Sequence, residues 1–363
     1  MTAIPARALL TFNDGKDQIF TSATYSWGYD TNVFANTATR GSVTQAFSWG
    51  ANYTRKAGVI GVNASIGMNA GQFVGIPGQD YDDPNITLSF NKGVGRTTGN
   101  LMIQAQKVNS PDPIANNRQV GWEYTAALNL RYPIIERFYI TNVTTVGGSS
   151  YANRALFANQ QSYSDGIDVN FVYDSKLDLR AGYGFALEKT HDTTAIHHAF
   201  DVGANGTIAP QLSGSLITGF VIDQTSYSSG KGKAETFTGL TATANLNWRF
   251  SRSLSFTGTA AKDFGISSTD VTTDSTTLGL TSETTLFKRF RTSVGVTYVG
   301  TSFLGRNGGG RRDTLWELVA NVGTALTTHL RANLAYAYMV NYSNFSTARF
   351  IRETITLSVT ATY

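Results

Sequence analysis

Cysteine is absent from the 363 residues. Its absence excludes a disulfide framework, a thiolate metal site and covalent c-type haem attachment, and it suits passage through an oxidising compartment. Charge is scarce as well, at 15% of residues against about 25% in soluble domains, and the 41% apolar share is low for a globular protein. No run approaches the ~20 consecutive apolar residues that a membrane helix needs. There is no Gly-x-Ser-x-Gly elbow and no zinc-protease motif, so we expect no enzyme and no cofactor. The net charge of +4, without a basic stripe interleaved with aromatics, argues against a nucleic-acid partner. The opening Met1–Arg7 has no basic region followed by a long apolar core, and reads as a mature chain whose export signal has been removed.

Glycine is plentiful, at 36 copies, and aromatics make up 12%. The dominant feature is alternation. The segment Ile355–Tyr363 places Ile355, Leu357, Val359, Ala361 and Tyr363 on one face and Thr356, Ser358, Thr360 and Thr362 on the other, the period of two that a strand imposes. The same pattern recurs over 18–29, 42–53, 58–68, 85–91, 97–107, 138–146, 164–173, 199–208, 212–222, 276–286, 291–299, 314–324 and 330–339. It is clearest where Leu177, Leu179, Ala181, Tyr183, Phe185 and Leu187 oppose Asp178, Arg180, Gly182, Gly184, Ala186 and Glu188. Connections alternate between short turns and longer loops, the longer ones near 30–41, 69–84, 108–119, 147–163, 189–198, 223–235, 264–275, 300–313 and 340–349. These signs define an all-β fold: a transmembrane antiparallel up-and-down β-barrel of about eighteen strands (16–20), with short periplasmic turns and long extracellular loops. A soluble propeller or stack of sandwiches also alternates, but would carry more charge and would not segregate its loop lengths. Residues 1–17 read as a periplasmic N-terminal extension and 18–363 as the barrel.

The first hairpin, Tyr25-Ser26-Trp27-Gly28-Tyr29-Asp30-Thr31-Asn32-Val33-Phe34-Ala35-Asn36, resembles that of the bacterial outer-membrane β-barrel porin family, in which an aromatic strand runs into an Asp-x-Asn-(Val/Ile)-Phe turn. The turns Leu246–Phe256 and Thr285–Arg291 are similar to that family's hairpins. The resemblance implies a diffusion channel, with some members accompanying exopolysaccharide export, and brings no catalytic residues.

With about eighteen strands the interior is too wide for side chains to fill, so the polar face should line water. The expected pore-lining residues are Arg131, Arg180 and Arg331 toward the turns, with Asp178, Glu123, Glu188 and Glu317, and the amides Asn129, Asn205 and Asn247. Outward aromatics near strand ends (Tyr25, Trp27, Trp49, Trp122, Trp248, Tyr336, Tyr338, Tyr363) fit interfacial girdles. Basic turn residues such as Arg55, Lys56, Lys92 and Arg137 form either a periplasmic vestibule attracting anions or side chains that snorkel at an interface. His191, His197 and His198 share an expected loop but lack a ligand scaffold, so no metal is assigned. Asp80, Asp82 and Asp83 depart from the EF-hand pattern, and Gly305–Arg312 lacks the Lys-Ser/Thr of a phosphate loop.

The expected function is a porin-like outer-membrane channel for passive diffusion of small hydrophilic solutes. Alternatives are a polysaccharide export duct, or a structural barrel within a larger outer-membrane complex. Expected partners are outer-membrane lipid and lipopolysaccharide, the barrel-assembly machinery through the C-terminal strand, and other outer-membrane or periplasmic proteins.

Overall fold

The computed structural model describes residues 8–56, 58–228, 233–305 and 309–363. Nineteen strands form a single antiparallel sheet closed on itself. The first are β1 (Leu10–Phe12), β2 (Asp17–Asp30), β3 (Ser42–Arg55), β4 (Gly61–Phe73), β5 (Tyr81–Lys92), β6 (Thr98–Asp112) and β7 (Asn117–Ile135). There follow β8 (Phe138–Tyr151), β9 (Gln160–Val172), β10 (Leu177–Lys189), β11 (Thr193–Ala209), β12 (Leu212–Tyr227) and β13 (Glu235–Trp248). The last are β14 (Leu254–Ile266), β15 (Thr272–Leu286), β16 (Phe290–Phe303), β17 (Arg312–Ala325), β18 (Leu330–Ser343) and β19 (Phe350–Thr362). Each long strand pairs with its sequence neighbours, and β19 returns to β2.

The closing seam divides one edge of β2 between two partners. Residues Ser22–Asp30 pair with Thr354–Thr362 of β19, and Asp17–Ile19 pair with β1. Where the two meet, the Thr21 N–H donates to the Tyr363 carbonyl at 2.7 Å and the Tyr363 N–H returns a bond to Thr21 at 2.9 Å. Of the segment 1–17, residues 1–7 lie outside the described ones, Leu10–Phe12 form β1 and Asp17 opens β2.

Directly opposed residues in an antiparallel pair share a face, so the register sorts side chains into outer and inner rows. One outer row runs Leu334, Leu357, Trp27, and its inner neighbour runs Asn333, Ser358, Ser26. The outer face carries the exposed large apolar side chains, among them Tyr25, Trp27, Trp49, Trp122, Trp248, Tyr336 and Tyr363; Tyr338 lies on it opposite Leu318. Among the described residues there is no central apolar core. The buried apolar cluster that does form is small: Val33, Phe73 and Ile76, with Phe34 and Tyr81 against it.

Several loops are shorter than the sequence suggests. The expected loop 108–119 contracts to 113–116, because β6 and β7 stay paired out to Asp112 opposite Asn117. The loop expected at 189–198 contracts to 190–192. Above the apolar band both faces are polar, so the period-two signal fades while the backbone ladder continues. His197 and His198 consequently belong to β11 and point to opposite faces, His197 opposite Asp223 and His198 opposite Ile222.

Two interstrand ladders stop early at the loop end. β5 and β6 pair no further than Asn85 opposite Gln106, beside Pro84, which has no N–H to offer. β13 and β14 pair only from Trp248–Phe256 to Ala242–Lys262, although β13 runs on to Glu235 against β12. A Cβ at Gly239 would stand 2.8 Å from the Phe264 ring, so the glycine admits that ring where the ladder ends. At the turn end, Gly206 and Gly214 oppose one another with φ of +138° and +148°, and a Cβ on Gly214 would overlap the Asn245 carbonyl. Gly214→Ala should therefore cost about 1–3 kcal/mol, read as a lower temperature for the shift from folded to unfolded migration on gels. Unchanged heat-modifiability would refute this account of the turn.

Candidate functional site

The inner mouth of the barrel is shaped by the two hairpins that rise from the lapsed ladders. The tip of the β14–β15 hairpin, 267–271, reaches across to elements several strands away. Its Ser268 carbonyl accepts from the Ala158 N–H at 2.8 Å, and its Asp270 carboxylate accepts from the Thr190 hydroxyl at 2.6 Å. Next to it, the Ile266 N–H donates to Glu188 Oε2 at 2.9 Å, and the Thr225 and Thr272 hydroxyls lie 3.4 Å apart. Ala195, Val221, Asp223 and Thr225 occupy inner positions of β11 and β12, yet none is more than 3% exposed. Inner residues elsewhere are mostly half-exposed. The hairpin therefore lies inside the barrel, against the inner faces of β10–β12.

Sealed beneath it is a polar constellation. His197 Nδ1 lies 3.0 Å from Asp223 Oδ2, while Asp223 Oδ1 accepts from the Thr225 hydroxyl at 2.7 Å. A buried charge of this kind is tolerable only with such partners. The site missed by sequence reasoning is this one: only the pairing of β11 with β12 brings His197 to Asp223, and no local spacing reveals it.

The β6–β7 hairpin supplies the second covering element. The Asn116 amide donates to the Ala35 carbonyl at 3.0 Å. Arg118 is 7% exposed; it donates to the Val33 carbonyl and to Asn109, and its guanidinium carbon sits 4.5 Å from the centre of the Phe73 ring. From the β16–β17 loop, Arg311 donates to the Ile114 carbonyl at 2.8 Å and to both Asp313 carboxylate oxygens. That loop is the Gly305–Arg312 motif, of which Arg306, Asn307 and Gly308 lie outside the described residues.

The other singled-out residues fall as follows. The register puts Arg131 and Asn129 on the inner face opposite Thr98 and Asn100, and Glu123 opposite Gln106, whose amide donates to it at 3.0 Å. Asp178 faces Asn205, Asn247 faces Ser213, Glu317 faces Thr297 and Arg331 faces Thr360, all on that inner side. Arg180 Nη2 donates to Asp168 Oδ1 at 2.6 Å and Asp201 Oδ1 at 2.8 Å. This triad lies over Gly182, since a Cβ there would overlap Asp168 Oδ1. Tyr139 donates to Asp178 at 2.6 Å, and the Arg131 guanidinium stacks on its ring at 3.9 Å. Asp80 accepts from the Phe73 N–H, Asp82 pairs with Lys107 on the outer face, and Asp83 is inward opposite Asn69; the three do not converge. Among the described residues no group of three or more His, Cys, Asp or Glu is gathered to hold a metal.

A closed antiparallel wall with apolar rows outside and polar rows inside is the architecture of a transmembrane β-barrel. Solved structures share the fold. The outer membrane protein OpdK of Pseudomonas aeruginosa superposes with a TM-score of 0.52 at 12% identity, over 95% of this chain and 99% of that one. OccAB4 of Acinetobacter baumannii gives 0.51 at 11%, over 97% and 100%, and OccAB2 of the same organism 0.50 at 12%, over 98% and 99%. At such identities the likeness is one of fold. Neither a protein-family model nor a curated protein sequence matches the chain.

The hairpin latch is testable because the chain has no native thiol. With a side-chain hydrogen bond contributing about 1 kcal/mol, Thr190→Val combined with Asp270→Ala should speed aqueous maleimide labelling of a Thr225→Cys reporter by roughly fivefold. Equal labelling rates with and without the latch would show that these contacts do not hold the hairpin down.

Proposed function

We propose that this protein is an outer-membrane channel through which small hydrophilic solutes diffuse passively. The observation that carries the reading is the two-sided wall: leucine, valine and aromatic rows outside, hydroxyl and amide rows inside, around a ring too wide for its own side chains to fill. In this reading Tyr25, Trp27, Trp49, Trp122, Trp248, Tyr336, Tyr338 and Tyr363 sit at the membrane interfaces. Arg131, Arg180, Arg331, Glu123, Asp178, Glu188, Glu317, Asn129, Asn205 and Asn247 face the solute path. The hairpins at 113–116 and 267–271 set its width at the loop end. A polysaccharide duct is less well supported, because these hairpins narrow the end through which a polymer would leave and the inner face offers few aromatic stacking surfaces.

Purified protein in planar bilayers should give discrete ohmic conductance steps. A variant lacking Ser267–Val271 should give steps roughly twofold larger, as expected when a constricting element is removed. Correctly folded wild type that never conducts would displace the channel reading in favour of a scaffold barrel.

A further inference from the structure

The inner face is not uniformly charged along its length. In the half nearer the short turns, Arg131, Arg180, Arg291 and Arg331 share the inner face with Asp168, Asp178, Asp201 and Glu283, four cations with four anions. In the half nearer the loops the balance is lost. Glu123, Glu188, Asp263 and Glu317 are inward there, together with Asp83 and Glu235. Three cationic groups of that half are matched one for one by further carboxylates: Arg352 pairs with Asp30 at 2.7 Å, Arg311 with Asp313 and His197 with Asp223. Arg118 bonds the neutral Val33 carbonyl and Asn109, so its positive charge remains and offsets one of those six carboxylates. Glu123 and Glu188 accept from neutral donors, the Gln106 amide and the Ile266 N–H, which leave their negative charge in place. The overall +4 of the chain conceals this, because Arg55, Lys56, Lys92, Arg137 and Lys176 cluster at the turns.

We propose that the loop half of the lumen is a cation-selective filter, so that the solutes carried are small cations and organic ammonium or guanidinium compounds in preference to anions. The inference rests on the channel reading above. Excess carboxylate in a narrowed aqueous passage with low-dielectric walls concentrates cations and excludes anions, and rings of Asp and Glu are the usual means of cation preference. Placement matters as much as number: the excess coincides with the two inward hairpins, where a passing ion comes within a screening length of the wall, about 10 Å at 0.1 M salt.

Reversal potentials of the purified full chain in planar bilayers under a KCl gradient near about 0.1 M test this. Wild type should pass potassium over chloride by at least about threefold. The preference should shrink toward unity near about 1 M salt, where screening shortens to about 3 Å. The triple variant Glu123→Gln, Asp263→Asn, Glu317→Gln should keep its conductance steps and lose most of the preference, whereas Glu283→Gln in the balanced half should change it little. The salt series needs no substitution, so the proposal stays testable even where the triple variant fails to assemble. Conductance steps with a wild-type ratio at or below one, or a conducting triple variant with an unaltered ratio, overturn the filter and leave the channel standing. Absence of any steps removes the channel itself.

Discussion

Everything in this structure depends on the absence of a free sheet edge. In hydrocarbon an unpaired peptide group costs several kcal/mol, so a strand can cross only when both edges are bonded. The chain meets that demand at its most delicate place, where its two ends come together. β2 has more length than β19 can cover, and the short β1 takes up the remainder from Asp17 to Ile19. The Thr21–Tyr363 exchange leaves no interval between the two partners. The polar interior follows from closure, since one face of every strand must then look into the enclosed space.

Closure is needed only where lipid meets the wall, and the chain relaxes it above that level. The β5–β6 and β13–β14 ladders lapse toward the loops, and on the outer face that level is marked by ion pairs rather than leucines: Asp82 with Lys107 and Lys262 with Asp274. A strand released on one side can lean inward with its hairpin, and the backbone groups it frees are taken by side chains. Glu188 receiving the Ile266 N–H is the clearest instance. The constriction and the lapses in the wall are thus two aspects of one arrangement.

Much of this was legible in the sequence. Alternation along segments such as Leu177–Glu188 identified strands, faces and the approximate strand number, because lipid on one side and water on the other impose a strict period of two. The signal fails where both sides are wet. There Arg118 and His197 read as loop residues, although the ladder carries both, and Asp112 opposite Asn117 reads as the middle of a loop. Side-chain groupings were illegible for another reason. The Asp168–Arg180–Asp201 triad draws on three strands, and its members meet only through interstrand register, which a single sequence does not print. The inward lean of the hairpins was equally hidden, although Pro84 and Gly239 mark in the sequence the places where neighbouring strands part.

The lapsed ladders also separate two tasks that a fully bonded cylinder would tie together. Insertion into a bilayer depends on the banded middle of the wall, whereas the mouth hangs from strands already released on one flank. Residues at the tips can vary in size and charge without disturbing the hoop of hydrogen bonds below, so the mouth of a single durable frame can be reshaped by rewriting two short stretches of chain.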